Sequence, residues 1–238
     1  MSYLNILLCI GCLAAGLAAQ SSNAAEEVEI TSEPHHHLTF QNQDVRVFNV
    51  EVEPGAQTMM HWHHHDYIAV TLSEAEVSNS VKDKPTVALK LAEGDTRFAA
   101  GNFVHFVKDV GPQAFRNVTI ELLQDETLRA SEAAGRIKWD EERGLDVLEG
   151  GTRDILFVKD GVRASEFELQ PGGVAPEFHR AGPILLVAIS DLQLHKNGAA
   201  SVFSQMKSGD HIWVGADESF GMTNTGPKTA KFVTLEFP

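Results

Sequence analysis

Apolar and polar residues alternate over short stretches of this chain. Phe48, Val50 and Val52 interleave with Asn49, Glu51 and Glu53, and Phe167 and Leu169 interleave with Glu166, Glu168 and Gln170. Successive side chains of a strand point to opposite faces, so a period of two predicts half-buried β-strands. Turn-forming residues punctuate the runs at Pro54-Gly55, Glu93-Gly94-Asp95, Asp160-Gly161, Pro171-Gly172 and Gly209-Asp210. Many short strands at even spacing predict an all-β sandwich or barrel.

The pattern occurs twice. VRVFNVEVEPG ends at Gly55 and VRASEFELQPG at Gly172, an offset of 117, and TLSEAEV (71–77) matches AISDLQL (188–194) at the same offset. GDTRF at Gly94 pairs with GDHIW at Gly209, and RNVTIEL (116–122) with KFVTLEF (231–237), both at 115. Four ordered matches with a two-residue drift predict a duplicated domain, with copies at 38–124 and 152–238. The charged segment 125–151 between them is expected to be a linker with a short helix over 126–134.

The first 25 residues contain no Asp, Glu, Lys or Arg, and an apolar run fills positions 6–19. That is shorter than the about 20 residues a membrane-spanning helix needs. The polar patch 20–23 followed by Ala24 reads as a secretory signal peptide over 1–24, which places the mature protein in the periplasm or medium, with no membrane attachment after cleavage. Both cysteines, Cys9 and Cys12, lie in this segment, so any metal in the mature chain must be held by nitrogen and oxygen donors. The formal net charge of -14 opposes binding to nucleic acid or anionic lipid.

Histidines are unevenly placed. Four stand in His61-Trp62-His63-His64-His65, after the Pro54-Gly55 turn, and alternation turns His61 and His63 to one face while Trp62 and His64 point away. Two imidazoles at that spacing suit Fe, Mn, Zn, Ni or Cu, and His105 is the candidate third ligand. The tract His35-His36-His37 reads as a polar lead-in to the first strand.

These residues resemble the two motifs of the cupin superfamily. The first, G-x5-H-x-H-x3-E-x6-G, is met by Gly55, His61, His63, Tyr67 and Glu74; the second, G-x5-P-x-G-x2-H-x3-N, by Gly94, Ala100, Gly101-Asn102, His105 and Asp109. All three histidines match, and the departures are Tyr67 for the glutamate, Ala100 for the proline, Asp109 for the asparagine, and Glu74 and Asn102 for glycines. The resemblance implies two cupin-type jelly-roll β-barrels in tandem and a mononuclear divalent metal in the first. Tyr67 stands where the family's carboxylate ligand would be, so the site is expected to use three histidines, with Tyr67 as an acid or hydrogen-bond donor beside the metal. His65 or Asp66 is the possible additional ligand. At the repeat positions the second copy carries Phe178, Arg180 and Phe220 in place of His61, His63 and His105, beside a lone His179. The second copy is thus expected to be a scaffold, or to hold something apolar near Arg180.

Three protein ligands leave open metal positions for a small-molecule substrate, in a pocket expected to be lined by Met59, Phe98 and Phe103. The leading expectation is dioxygenase-like chemistry on a small aromatic or enol-like compound. The alternatives are a metal-dependent isomerase or lyase, a non-catalytic carbohydrate- or small-molecule-binding protein with a structural metal, and metal storage. Two barrels in one chain imitate a cupin dimer, so a monomer or a homodimer is expected.

Overall fold

The computed structural model describes residues 26–124, 144–177, 182–197 and 202–238. The signal-peptide reading of 1–24, the helical reading of 126–134 and Phe178, His179 and Arg180 lie outside the described residues.

The first half contains β1 (Glu27–Glu29), a 3-10 turn (Ile30–Ser32), β2 (His36–Gln41), β3 (Val45–Val52), β4 (Met60–His63), β5 (Tyr67–Thr71), β6 (Ala75–Val81), β7 (Val87–Leu91), β8 (Thr96–Ala99), β9 (Phe103–Asp109) and β10 (Phe115–Leu122). The second half contains β11 (Leu145–Lys159), β12 (Val162–Ala175), β13 (Ile184–Ala188), β14 (Leu192–Lys196), β15 (Val202–Met206), β16 (His211–Val214), β17 (Met222–Asn224) and β18 (Ala230–Glu236). Among the described residues no helix is long and apolar enough to cross a membrane.

In the first half two five-stranded sheets, ordered β1-β4-β9-β6-β7 and β2-β3-β10-β5-β8, face each other as a nearly closed barrel. Ile30, Phe48, Val50, Val52, Ala75, Val77, Leu91 and Phe115 fill one part of the interior. The second half forms one eight-stranded sheet, ordered β15-β14-β17-β12-β18-β13-β16 with β11 on the flank of β12. Its continuity has a local cause. β12 runs on past Pro171-Gly172 to pair Val174 with Thr223 of β17. At the same repeat positions the first half has only the single bridge Gln57↔Lys108, and β3 ends before Pro54-Gly55. β11 also begins at Leu145, inside the segment read as linker, because the LDVLEGG run carries no clean alternation to announce a strand.

The two halves pack back to back. Val45, Val47, Ile68, Val70, Val118, Ile120 and Leu122 meet Val162, Ala164, Leu185, Val187, Val233 and Leu235 in one buried layer. β3, β5 and β10 are therefore covered on both faces, as are β12, β13 and β18. A charged residue in such strands needs a partner. Arg46 donates to Glu121 at 2.9 Å across β3 and β10. Arg163 donates to Glu236 across β12 and β18, at the equivalent positions. For Arg46–Glu121, burial lifts the Glu121 carboxyl above its ordinary value despite the guanidinium.

Removing one member of a buried pair strands the other charge, at a cost of about 3–5 kcal/mol. Arg163→Met is therefore expected to lower the denaturant midpoint by that equivalent, and Arg163→Met with Glu236→Leu to restore most of it. An unchanged midpoint in the single variant would contradict the assignment.

Candidate metal centre

β4 and β9 are antiparallel neighbours, and their register sets His61 opposite His105 and His63 opposite Phe103. The period of two turns His61 and His63 inward, where they are 0% and 1% exposed, with His105 at 6%. Trp62 faces out and stacks on exposed His64 at 5.2 Å, and His64 pairs with Glu29 of β1 at 3.0 Å. The turn into β9 needs two special residues. Asn102 adopts φ +61, a left-handed conformation that asparagine tolerates. Gly101 lies so close to the β4–β5 loop that a Cβ there would meet the His65 carbonyl carbon at 2.5 Å.

Three imidazoles converge. His63 Nε2 lies 3.2 Å from His61 Nε2 and 3.1 Å from His105 Nε2. His61 Nδ1 is 2.8 Å from the Met59 carbonyl oxygen and His105 Nδ1 is 2.8 Å from Asn79 Oδ1. Both partners accept, so both Nδ1 atoms carry the hydrogen and both Nε2 atoms present a lone pair. Burial holds the His61 imidazolium down to about 4. Burial also pushes His63 and His105 well below the ordinary histidine value. The set is neutral, and His63 Nδ1 is buried without a hydrogen-bond partner.

Lone pairs aimed at one point repel unless a Lewis acid lies between them. Donors about 2.1 Å from a shared ion sit about 3.0 Å apart at a right angle and about 3.4 Å apart at the tetrahedral angle. The His63–His61 and His63–His105 spacings fall in that interval, and ring N–H groups tied to a carbonyl or amide oxygen are the usual support of metal-bound histidine. The donor set fits a divalent transition metal.

The other expected residues take different places. Tyr67 begins β5 and its ring lies 4.3 Å from that of His63. Burial pushes its phenol up to about 12, so it is a neutral donor. Asp66 spends Oδ1 on the Gly101 N–H at 2.8 Å and shapes the loop. β4 ends at His63, so the alternation that would carry His65 inward lapses, and neither His65 nor Asp66 lines the cavity. That cavity, ≈ 230 Å³, opens beside the three histidines. Phe98 contributes to its wall with Val77, Leu89, Leu91 and Phe115, while Asn117, Thr119 and Arg97 add polar groups. Met59 and Phe103 are not part of that wall: Met59 acts through its backbone, and Phe103 packs against the His63 ring at 5.4 Å.

Two further residues belong here: Glu33, and His36, which the sequence reading took as part of a polar lead-in but which β2 carries inward beside His61. His36, on β2, offers a ring nitrogen within 4.8 Å of those of His61 and His63, and its ring centre is 4.6 Å from that of His61. Glu33, 2% exposed, accepts from His36 Nδ1 at 2.6 Å, His35 Nδ1 at 3.0 Å and the backbone N–H of His35 and Met59 at 2.8 and 3.0 Å. Burial raises the Glu33 carboxyl, but the bonds from His36, His35 and Met59 outweigh it and hold the group at about 2. The only sequence signal for the pair was the Glu-x-x-His spacing. At the repeat position of His105, Phe220 is 0% exposed and packs with Phe167 in an apolar interior.

This architecture is a cupin fold with a three-histidine cluster suited to a divalent metal. Among similar solved structures, AerE from Microcystis aeruginosa superposes with a TM-score of 0.63 at 14% identity, covering 86% of this chain and 93% of that one. The oxalate decarboxylase of Lactobacillus farciminis, in its formate complex, gives 0.57 at 14% identity over 82% and 77% of the two chains. That of Bacillus subtilis, which has Mn(II) centres, gives 0.58 at 14% over 82% and 69%. The sequence matches no protein-family model and no curated protein.

A histidine whose folded value lies near 4 against an ordinary 6.5 is protonated more readily in the unfolded chain. The stability it contributes is present above pH 6.5 and is lost as pH falls toward 4. The melting temperature of metal-free protein is therefore expected to drop between pH 7 and pH 5, and to drop less in His61→Phe. Equal drops in both proteins would contradict the site's electrostatics.

Proposed function

We propose that this protein is an exported bicupin whose first barrel is a mononuclear-metal enzyme acting on a small organic substrate, with dioxygenase-type chemistry on an aromatic or enol-like compound as the leading reaction. The observation that carries the reading is the convergence of three neutral imidazole lone pairs beside a largely apolar cavity, with no carboxylate among them. The AerE and oxalate decarboxylase likenesses support the fold on which it rests.

The tandem reading rests on the repeat and on the strand orders. β2-β3-β10-β5-β8 of the first half runs parallel to β11-β12-β18-β13-β16 of the second, and the buried pairs Arg46–Glu121 and Arg163–Glu236 recur in that frame. Export rests on the apolar leader. The large apolar layer between the halves favours a self-sufficient monomer.

His61, His63 and His105 would hold the ion. A bound divalent metal supplies Lewis-acid polarisation of a substrate oxygen and, for Fe or Cu, access to dioxygen chemistry. The apolar wall excludes water and strengthens each charge interaction inside. Tyr67, held protonated against His63, is placed to donate a hydrogen bond to a substrate oxygen as it gains negative charge. Arg97, ion-paired with Asp95 at 2.9 Å, lines the rim of the cavity as a hydrogen-bond donor. The protonated phenol favours a second reading as well, a metal-dependent lyase or isomerase in which Tyr67 is the acid. The Mn(II) centres of the Bacillus subtilis oxalate decarboxylase make Mn a candidate alongside Fe.

Elemental analysis of the purified protein is expected to find about one equivalent of transition metal, lost in His61→Ala and His105→Ala. Retention of metal in both variants would sink the site. The Fe-loaded protein is then expected to consume oxygen with one of a panel of catechols and diketones. Anaerobic turnover would move the assignment to the lyase or isomerase reading, and binding without turnover to a binding protein. Tyr67→Phe is expected to keep its metal and lose about 10²-fold in kcat. An unchanged kcat would remove Tyr67 from the chemistry.

A further inference from the structure

We propose that His36 is a fourth nitrogen donor to the metal of the first barrel, and that Glu33 is the residue that aims it. The inference rests on the metal-centre reading above and concerns a residue outside both motif-bearing strands. His36 Nδ1 lies 2.6 Å from Glu33 Oε2, so in the neutral ring that binds a metal Nδ1 donates to the carboxylate and Nε2 carries the lone pair. A ring nitrogen of His36 falls within 4.8 Å of those of His61 and His63, and the His36 ring sits 4.6 Å from His61 and 6.3 Å from His63.

His36 shares one feature with His61 and His105: its Nδ1 is tied to an oxygen, and its ring lies against the cluster, 4.6 Å from that of His61. An imidazole oriented by a buried carboxylate is a recurring support for metal ligation. Glu33 is well held for that task. The Met59 N–H binds its Oε1, while the Met59 carbonyl accepts from His61 Nδ1, so one backbone unit fixes both imidazoles relative to each other. β1 pairs in parallel with β4, setting Val28 beside His61, and β2 pairs with β3, setting His36 opposite Val50. The segment from Glu27 to Gln41 is thus built into both sheets and brings His36 to the centre.

The assignment also accounts for Tyr67. A carboxylate ligand at that position would contribute one negative charge directly to the ion. With Tyr67 neutral, Glu33 supplies the charge one imidazole away, and the centre keeps four side-chain donors.

The test counts nitrogens. Copper(II)-loaded wild-type protein, examined by electron spin echo envelope modulation, is expected to show four coordinated imidazoles, and His36→Gln three. Cobalt(II) titration is expected to give a Kd at least 10-fold weaker in His36→Gln, and 10–100-fold weaker in Glu33→Gln, where the imidazole remains but its support is weakened. Three imidazoles in the wild type, or a Kd within twofold of wild type for His36→Gln, would overturn the proposal. If His61→Ala abolishes binding while His36→Gln does not weaken it, the three-histidine centre stands and this inference alone fails. If the wild type binds neither ion, the metal-centre reading fails with it. The count on wild-type protein needs no variant to fold.

Discussion

The back-to-back packing of two sheets constrains everything else in this molecule. It buries both faces of the central strands, so their sequences cannot alternate cleanly and their charges cannot remain unpaired. In β10, Phe115, Asn117, Thr119 and Glu121 face the first barrel's interior while Val118, Ile120 and Leu122 face the second half. A sheet held from behind in this way gives its inner face little freedom. That face positions Tyr67, Asn117, Thr119 and His36, and the opposite sheet carries His61, His63 and His105. The centre spans the gap between the two sheets, and Glu33 ties them together through the Met59 N–H.

The two halves share a frame and differ in what fills it. Where the first has His105 facing a cavity, the second has Phe220 at 0% exposure against Phe167, which stacks on Phe232 at 4.9 Å. An aromatic interior gains apolar burial and has no polar atom to satisfy. A ring of buried neutral histidines gains less and leaves His63 Nδ1 without a partner. The division is physically reasonable: the filled half stabilises the shared layer, and the hollow half bears the cost of a polar cavity.

How much of this the sequence made legible depended on distance along the chain. The strands around Phe48–Val52 and Phe167–Leu169 follow from alternation, and the triple of histidines from spacing that alternation converts into a shared face. The dyad of Glu33 and His36 was opaque because its importance lies in where β2 is placed. Nothing local in a run of three histidines tells which one faces inward. Asn79 was equally hidden, since its bond to His105 joins residues 26 positions apart through the β6–β9 register. The fusion of the second half into one sheet was invisible for the opposite reason. Its turn, Pro171-Gly172, is the same as Pro54-Gly55, both glycines have left-handed φ near +80, and only the next few residues decide whether pairing resumes.

Charge placement connects these observations to chemistry. His61, His63 and His105 are neutral, Tyr67 is neutral, and the buried anion Glu33 is already engaged by four N–H groups. A divalent ion held by the three histidines would retain its full positive charge toward the open side, in a cavity whose apolar wall would leave that charge poorly screened. The field would favour a ligand that arrives as an anion, or becomes one as it reacts, over a neutral one of equal size. An enolate, a phenolate and a carboxylate all satisfy that condition, whereas a neutral sugar does not. On the proposed metal reading, these electrostatics would narrow the substrate class further than the shape of the cavity does, equally for the oxidative and non-oxidative readings.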